Sequence, residues 1–293
     1  MIALITGYSG FLGSYILEAL RYHHFYVVEL GRSKNADIHW DFFSDDIFIP
    51  KSDVFVHCAG LAHQVAKNNL DSEFFRVNEL ATINICRAIN KSGNFPNTFI
   101  FISTVAVYGL DEGELISEKS LLQPKTAYAK SKFNAEKFLQ LWAENHNVKL
   151  MILRLPLVVG DSPRGNLASM INAIRRGYYF RFVNRTVRRS MVLAQDVANF
   201  IVTLYGKDGI VNLTDDTNCS YAELEDYIAM KFNRNIVSIP YVIVYLLSFI
   251  GDFIPLFPIN SYRLKKLTCT LTFSTKKAME FYGWKPRPVI GNF

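Results

Sequence analysis

The first twenty residues, MIALITGYSGFLGSYILEAL, constrain the fold more than any other stretch of the chain. A short apolar run, IALIT, is followed at once by Gly7, Gly10 and Gly13, and then by apolar residues at helical spacing. This reads as strand, glycine-rich turn, helix. In such a turn the first glycine allows a tight bend, the second leaves room for a phosphate and the third lets helix and strand pack closely. The helix start then presents free N–H groups and a partial positive charge to an anion. Ser9, Gly10, Phe11, Leu12 and Gly13, together with Gly7, are therefore expected to hold the pyrophosphate of a dinucleotide.

The pattern continues downstream. FYVVEL, DVFVHCA, TFIFIST and LMILRLP read as further short, β-branched strands. Between them lie LGSYILEALRYH, FFRVNELATINICRAINKS and AYAKSKFNAEKFLQLWAEN, with apolar residues at helical spacing. This alternation predicts an α/β fold of the Rossmann type: a doubly wound parallel sheet with helices on both faces. Beyond about residue 160 the alternation decays and prolines at 240, 255, 258, 286 and 288 interrupt it. The reading divides the chain into a nucleotide-binding domain over 1–160, whose core takes back later segments, and a smaller C-terminal substrate-binding domain over 161–293. A cleft is expected between them.

A dinucleotide with a free ribose 2′-hydroxyl is met by an acidic residue about 20 positions after the glycines. Here that position falls near Gly31, followed by Arg32 and Ser33, while Glu29 stands two residues earlier. A small residue beside an arginine suits a 2′-phosphate, so NADP is expected, with NAD as the alternative. Asp41 and Phe42 are expected at the adenine, and Ala59 and Gly60 along the cofactor.

Tyr128 and Lys132 stand four apart in TAYAKSK, hence on one helical face. An ammonium near the phenol is expected to lower its pKa from about 10, so that Tyr128 exchanges a proton with a sugar hydroxyl near neutral pH. About 25 residues upstream a strand ends in Ser103 and Thr104, either of which offers a hydroxyl to the reacting oxygen.

TGxxGxxG, STVAVYG, YAKSK and RLPLVVG, in this order, resemble the extended short-chain dehydrogenase/reductases that act on nucleotide sugars, a likeness spanning nearly the whole chain. The resemblance assigns the catalytic hydroxyl to Thr104 rather than Ser103, matches Tyr128 and Lys132 to the family's Tyr and Lys, and implies hydride transfer at a sugar carbon, usually C4. RGNLASMINAIRRG, RTVRRSMVLAQDVANFI and SYRLKKLTCTLTFSTKKAMEFYGWKPR are similar to a bacterial surface-polysaccharide branch of 4-ketoreductases and 4-epimerases. That likeness implies a diphosphate grip at Arg189, a second at Arg263, and nucleotide or sugar contacts at Gly165 and Asn166. Two departures bear on those contacts: Leu157 stands where many members carry Asn, and VVGD replaces VYGP. Val105 and Ala106 follow Thr104 where sugar 4,6-dehydratases carry an acidic pair, which argues against dehydration.

The NADP signal favours a reductase of a UDP-linked 4-keto-6-deoxy-N-acetylhexosamine. The alternatives are an NAD-dependent 4-epimerase of a UDP-linked or polyprenyl-diphosphate-linked sugar, and a non-catalytic NADP-binding regulator. The regulator is disfavoured because Thr104, Tyr128 and Lys132 are all present. A net charge of +6 without a long basic run fits an anionic small ligand rather than nucleic acid. Four distant cysteines read as thiols of a cytoplasmic protein, and His57 and His63 lack metal-ligand spacing. The start carries no signal-peptide pattern. YVIVYLLSFIGDFIPLFPI, residues 241–259, is too interrupted to span a bilayer and is expected to be a packed helix and loop rather than a membrane contact. A homodimer is expected through the helices carrying Asn78–Ile89 and Tyr128–Glu144.

Overall fold

The computed structural model describes residues 1–44, 47–62, 70–161, 163, 165–181, 187–253, 261, 264 and 268–293. In chain order the strands are β1 (Ile2–Thr6), β2 (Tyr26–Gly31), β3 (Ile38–His39), β4 (Val54–His57), β5 (Thr98–Thr104), β6 (Gly113–Ile116), β7 (Lys149–Leu155), β8 (Leu157–Val159), β9 (Phe180–Arg181), β10 (Met191–Leu193), β11 (Gly209–Asn212), β12 (Val237–Ser238) and β13 (Leu271–Phe273). The helices are α1 (Phe11–Tyr22), α2 (Leu70–Phe74), α3 (Ala81–Ser92), α4 (Ala127–His146), α5 (Gly165–Arg176), α6 (Ala194–Ile201), α7 (Tyr221–Lys231), α8 (Tyr241–Phe253) and α9 (Lys276–Tyr282).

Seven parallel strands form the main sheet in the order β11-β7-β5-β4-β1-β2-β3. The order runs outward in both directions from β1 and β4, so their carboxyl ends flank the point where ligands bind in doubly wound sheets. Successive side chains of a strand face opposite ways, and the two resulting faces are both covered. Ala3, Ile5, Val54 and Val56 pack with Ile16 and Leu20 of α1 and Val197 and Ile201 of α6. Leu4, Phe55, Phe99 and Phe101 pack with Ile85 and Ile89 of α3 and Leu139 of α4.

One edge strand of the sheet, β11, comes from well beyond residue 160. β3, only two residues long, was not legible as a strand. The expected helix over 74–92 starts as α2 and passes through a π-helical stretch, Phe75–Leu80, into α3. A second, smaller core joins Leu167 and Ile174 of α5 to Leu224 and Ile228 of α7 and to Val289.

All four cysteines are free thiols. Among the described residues no helix is long and apolar enough to cross a membrane, and no group of metal-ligating side chains gathers. The expectation of a packed helix over 241–259 is met on one side only. Val244 and Ser248 are buried, whereas Val242, Leu246 and Ile250 lie open to solvent. Residues 254–260 fall outside the described residues, as does His63.

Candidate active site

The glycine turn lies at the carboxyl end of β1. Gly7 has φ +72°, and a Cβ there would fall 2.5 Å from the Ala59 nitrogen. A Cβ on Gly13 would lie 1.9 Å from the Gly7 carbonyl oxygen. Both positions are therefore closed to any side chain, and the loop is a cradle of bare backbone. Gly10 caps α1 without a side-chain hydrogen bond, which leaves the first-turn N–H groups for a ligand. A cavity of about 570 Å³ opens in front of it. Gly7, Ser9, Gly10, Arg32, Asp41, Phe42, Ala59 and Gly60 all line it. Phe11 and Leu12 do not: Leu12 is buried in the core and Phe11 packs edge-on against Tyr15, which limits both to backbone contacts with a ligand in this cavity. Tyr8, which sequence reasoning missed, also lines the cavity, and its buried hydroxyl has no hydrogen-bond partner among the described residues. A backbone cradle free of side chains and a buried hydroxyl beside it fit a dinucleotide.

At the end of β2 the carboxylate of Glu29 accepts a 2.6 Å bond from Arg21 and is drawn to the helix side. That leaves Gly31, Arg32 and Ser33 at the cavity wall. Asp41 accepts hydrogen bonds from the backbone N–H groups of Phe43 and Ser44, and these lower its carboxyl pKa. It thus shapes the turn that holds Phe42 at φ +72°.

Thr104 ends β5 and Tyr128 and Lys132 lie in the first two turns of α4, which is capped by Thr126 accepting from the Ala129 N–H. Along β5 the two hydroxyls diverge. Ser103 donates into the core, to Glu136, while Thr104 reaches the Tyr128 phenol. Lys132 Nζ donates to the Ile102 carbonyl at 2.9 Å, sits over the Phe101 ring, and would be only 3.0 Å from a Cβ on Gly60. The expected lowering of the Tyr128 pKa by the ammonium is not what this geometry produces. Burial raises it, and the opposing contact comes from Thr104, because Lys132 turns its charge to a carbonyl and a ring face. Burial also lowers Lys132, to about 8.

Behind the trio stands a network that the sequence did not reveal. His57 is fully buried, with Nδ1 2.7 Å from Thr6 Oγ1 and Nε2 2.8 Å from Thr82 Oγ1. Thr82 gives its single hydroxyl proton to the Asn78 carbonyl, so it accepts from His57 Nε2–H. Thr6 must then donate to Nδ1 while accepting from the Ala59 N–H. Burial, aided by Lys132, holds His57 near a pKa of about 3 and hence neutral. Asn78, in the π-helical stretch, accepts from the Leu61 N–H and donates to the Leu61 carbonyl and to Ser131 Oγ, which in turn donates to the Tyr128 carbonyl. One chain of hydrogen bonds thus ties the glycine turn, the Ala59–Leu61 loop and the start of α4.

A second cavity, of about 280 Å³, is lined by Thr104, Val105, Ala106, Arg189 and Tyr221, among others. Arg189 is half-buried there, and burial lowers its pKa from the usual arginine range. Asn166 lies in the first turn of α5, but its side chain and all of Arg263 fall outside the described residues. Thr104 therefore lines one cavity, Lys132 abuts the Gly60 wall of the other, and the Tyr128 phenol bonds to Thr104.

A Rossmann sheet with an open glycine cradle and a Thr-Tyr-Lys trio beside it defines a class of nucleotide-dependent enzymes. The chain belongs to the NAD dependent epimerase/dehydratase family, whose model matches residues 3–214. It is 27% identical over 97% of its length to UDP-glucose 4-epimerase of Vibrio cholerae, covering 90% of that protein. It is 25% identical over 94% of its length to N-acetyl-α-D-glucosaminyl-diphospho-ditrans,octacis-undecaprenol 4-epimerase of Escherichia coli O157:H7, covering 87% of it. GDP-6-deoxy-D-mannose reductase of Pseudomonas aeruginosa is 26% identical over 71% of this chain and 72% of its own. Among solved structures, RMD from Pseudomonas aeruginosa complexed with NADPH superposes with TM-score 0.76 at 20% identity, covering 99% of this chain and 96% of that one. UDP-glucose 4-epimerase of Thermus thermophilus with NAD gives 0.76 at 22%, covering 98% and 94%. These two likenesses establish the shared fold.

Proposed function

We propose that this chain is an NADP(H)-dependent 4-ketoreductase of a nucleotide-linked 4-keto-6-deoxy-N-acetylhexosamine, working in surface-polysaccharide synthesis in the cytoplasm. One observation carries the reading: Thr104, in the wall of the cavity holding Arg189, hydrogen-bonds the Tyr128 phenol, four residues from Lys132, whose ammonium abuts Gly60 in the wall of the dinucleotide-sized cavity. When bound, the dinucleotide supplies the hydride that reduces the C4 carbonyl. Thr104 donates to the carbonyl oxygen, its single hydroxyl proton turning there from the Tyr128 phenol, while its oxygen accepts from the Ala106 N–H. Tyr128 delivers the proton to that oxygen as charge grows on it. A phenol whose pKa burial has raised stays protonated at neutral pH, which suits a group whose task is to give a proton. Lys132 holds the nicotinamide ribose, Gly7 to Gly13 the pyrophosphate, and Arg189 the sugar's diphosphate, with Asn166 and Arg263 as further contacts. Val105 and Ala106 provide no carboxyl for dehydration. The functional unit is a homodimer through α3 and α4, where Leu141 is exposed.

The withdrawal of Glu29 onto Arg21 supports NADPH, because Arg32 then stands at the cavity wall with the Glu29 carboxylate turned away to α1. Binding titrations followed by nicotinamide fluorescence test this. NADPH is expected to bind at least about tenfold tighter than NADH, the equivalent of one charge-assisted contact, and Arg32→Ala to abolish the preference. The second reading, a 4-epimerase on a UDP-linked or polyprenyl-diphosphate-linked sugar, is favoured by the activities named for two of the relatives. Protein that retains NAD through purification and interconverts UDP-N-acetylhexosamines with no added cofactor would overturn the reductase reading in its favour.

A further inference from the structure

The exposed side of α8 has no role in the chemistry above. Val242, Ile243, Leu246 and Ile250 are 67%, 48%, 59% and 47% exposed and occupy one face of the helix, opposite the buried Val244 and Ser248. Residues 241–251 contain no charged side chain. The apolar surface continues past the helix start, because β12 pairs with β9 and sets Val237, 61% exposed, beside Phe180, 45% exposed. Next to this strip stands a cluster of cations. Arg175 and Arg176 end α5, and Arg234, just past α7, donates to the Arg175 carbonyl at 3.0 Å. All three are exposed, and none is in an ion pair among the described residues.

We propose that this face docks the protein on an anionic bilayer, with α8 lying in the plane of the interface. A 13-residue helix rises about 20 Å, which is too short to span a bilayer but sufficient to bury one side among acyl chains. An uncharged aliphatic face rimmed by arginines matches the boundary between acyl chains and anionic headgroups, where the cations gain from the negative surface potential. A second copy of the chain is a poorer occupant. Two such faces paired about a two-fold axis running along the strip would bring the arginines of one copy towards those of the other. Docking here is independent of which reaction the site performs, since none of these residues lines either cavity.

Cosedimentation of the full chain with vesicles of phosphatidylcholine, with and without phosphatidylglycerol, tests the proposal. The chain is expected to sediment with the phosphatidylglycerol vesicles and to be released from them in part by salt. Leu246→Ser combined with Ile250→Ser is expected to weaken partitioning at least about tenfold, because two large side chains no longer enter the bilayer. Arg175→Ala with Arg176→Ala is expected to erase the preference for phosphatidylglycerol. Leu246→Trp adds a direct readout, a blue shift of emission when vesicles are added. Turnover of soluble substrate and the melting temperature are expected to stay at wild-type levels in all three variants. Wild type that remains in the supernatant, serine variants that sediment as well as wild type, or serine substitutions that instead break apart an oligomer in solution would each overturn it.

Discussion

The most demanding test of how the site is held in place lies one turn along α4 from Lys132. Glu136 and Arg154 have side chains 1% and 2% exposed and are joined by bonds of 2.7 and 3.2 Å. Ser103 donates to the same carboxylate, and Arg154 also donates to the Tyr108 hydroxyl, which donates to Asn212 on β11. The pair thus pins α4 to β5, β7 and β11. Arg154→Met leaves a buried carboxylate with a single remaining donor, a loss of about 3–5 kcal/mol. Arg154→Met combined with Glu136→Leu removes the uncompensated charge, leaving only the hydrogen bonds of Ser103 and Tyr108 unmet, about 1–3 kcal/mol. The double variant is therefore expected to be more stable than the single one. Urea unfolding followed by circular dichroism measures both. Turnover is expected to drop in both, since α4 loses its anchor beside Lys132. A double variant that costs as much as the single one, or more, would refute the argument.

Three further outcomes follow from the site. Gly13→Ala is expected to cost about 3 kcal/mol or more and to abolish dinucleotide binding in calorimetry, because its Cβ would overlap the Gly7 carbonyl. Lys132 titrates near 8 in the folded chain, against the usual 10.5. The unfolded chain therefore binds the extra proton across that window, and ligand-free stability is expected to rise with pH between those values, a slope that Lys132→Met removes. His57 titrates near 3 folded and 6.5 unfolded, so wild-type stability is expected to fall as pH drops through that window. His57→Gln is expected to flatten the dependence by about 1.4 kcal/mol per pH unit in acid denaturation curves.

What was legible in the sequence was local. The strand, turn and helix at residues 2–22, the Tyr128–Lys132 spacing and the hydroxyl at Thr104 each lie within a few residues, where periodicity and backbone sterics suffice. Gly31, Arg32, Asp41 and Ala59 reached the same cavity because sheet order brings the ends of neighbouring strands together. The supporting groups were not legible. His57 meets partners 51 and 25 positions away, Asn78 meets Ser131 across 53, and Tyr108 meets Asn212 across 104, and no short pattern marks any of them. The direction of the Tyr128 shift was misjudged for a related reason. Spacing puts Lys132 on the same face, but the carbonyl that captures the ammonium belongs to another strand. The apolar run at 241–253 gave a helix, yet composition alone does not say which side a fold leaves uncovered.

The claim on which the account rests is that Tyr128 gives a proton to the oxygen of the sugar carbon that receives the nicotinamide hydride. The direct measurement is to supply NADPH deuterated at the transferring C4 position with a UDP-4-keto-6-deoxy-N-acetylhexosamine and to locate the label in the product by mass spectrometry and NMR. One deuterium at sugar C4 is predicted, with label transfer lost in Tyr128→Phe while NADPH still binds. Product without label at C4, or full transfer by Tyr128→Phe, would contradict it.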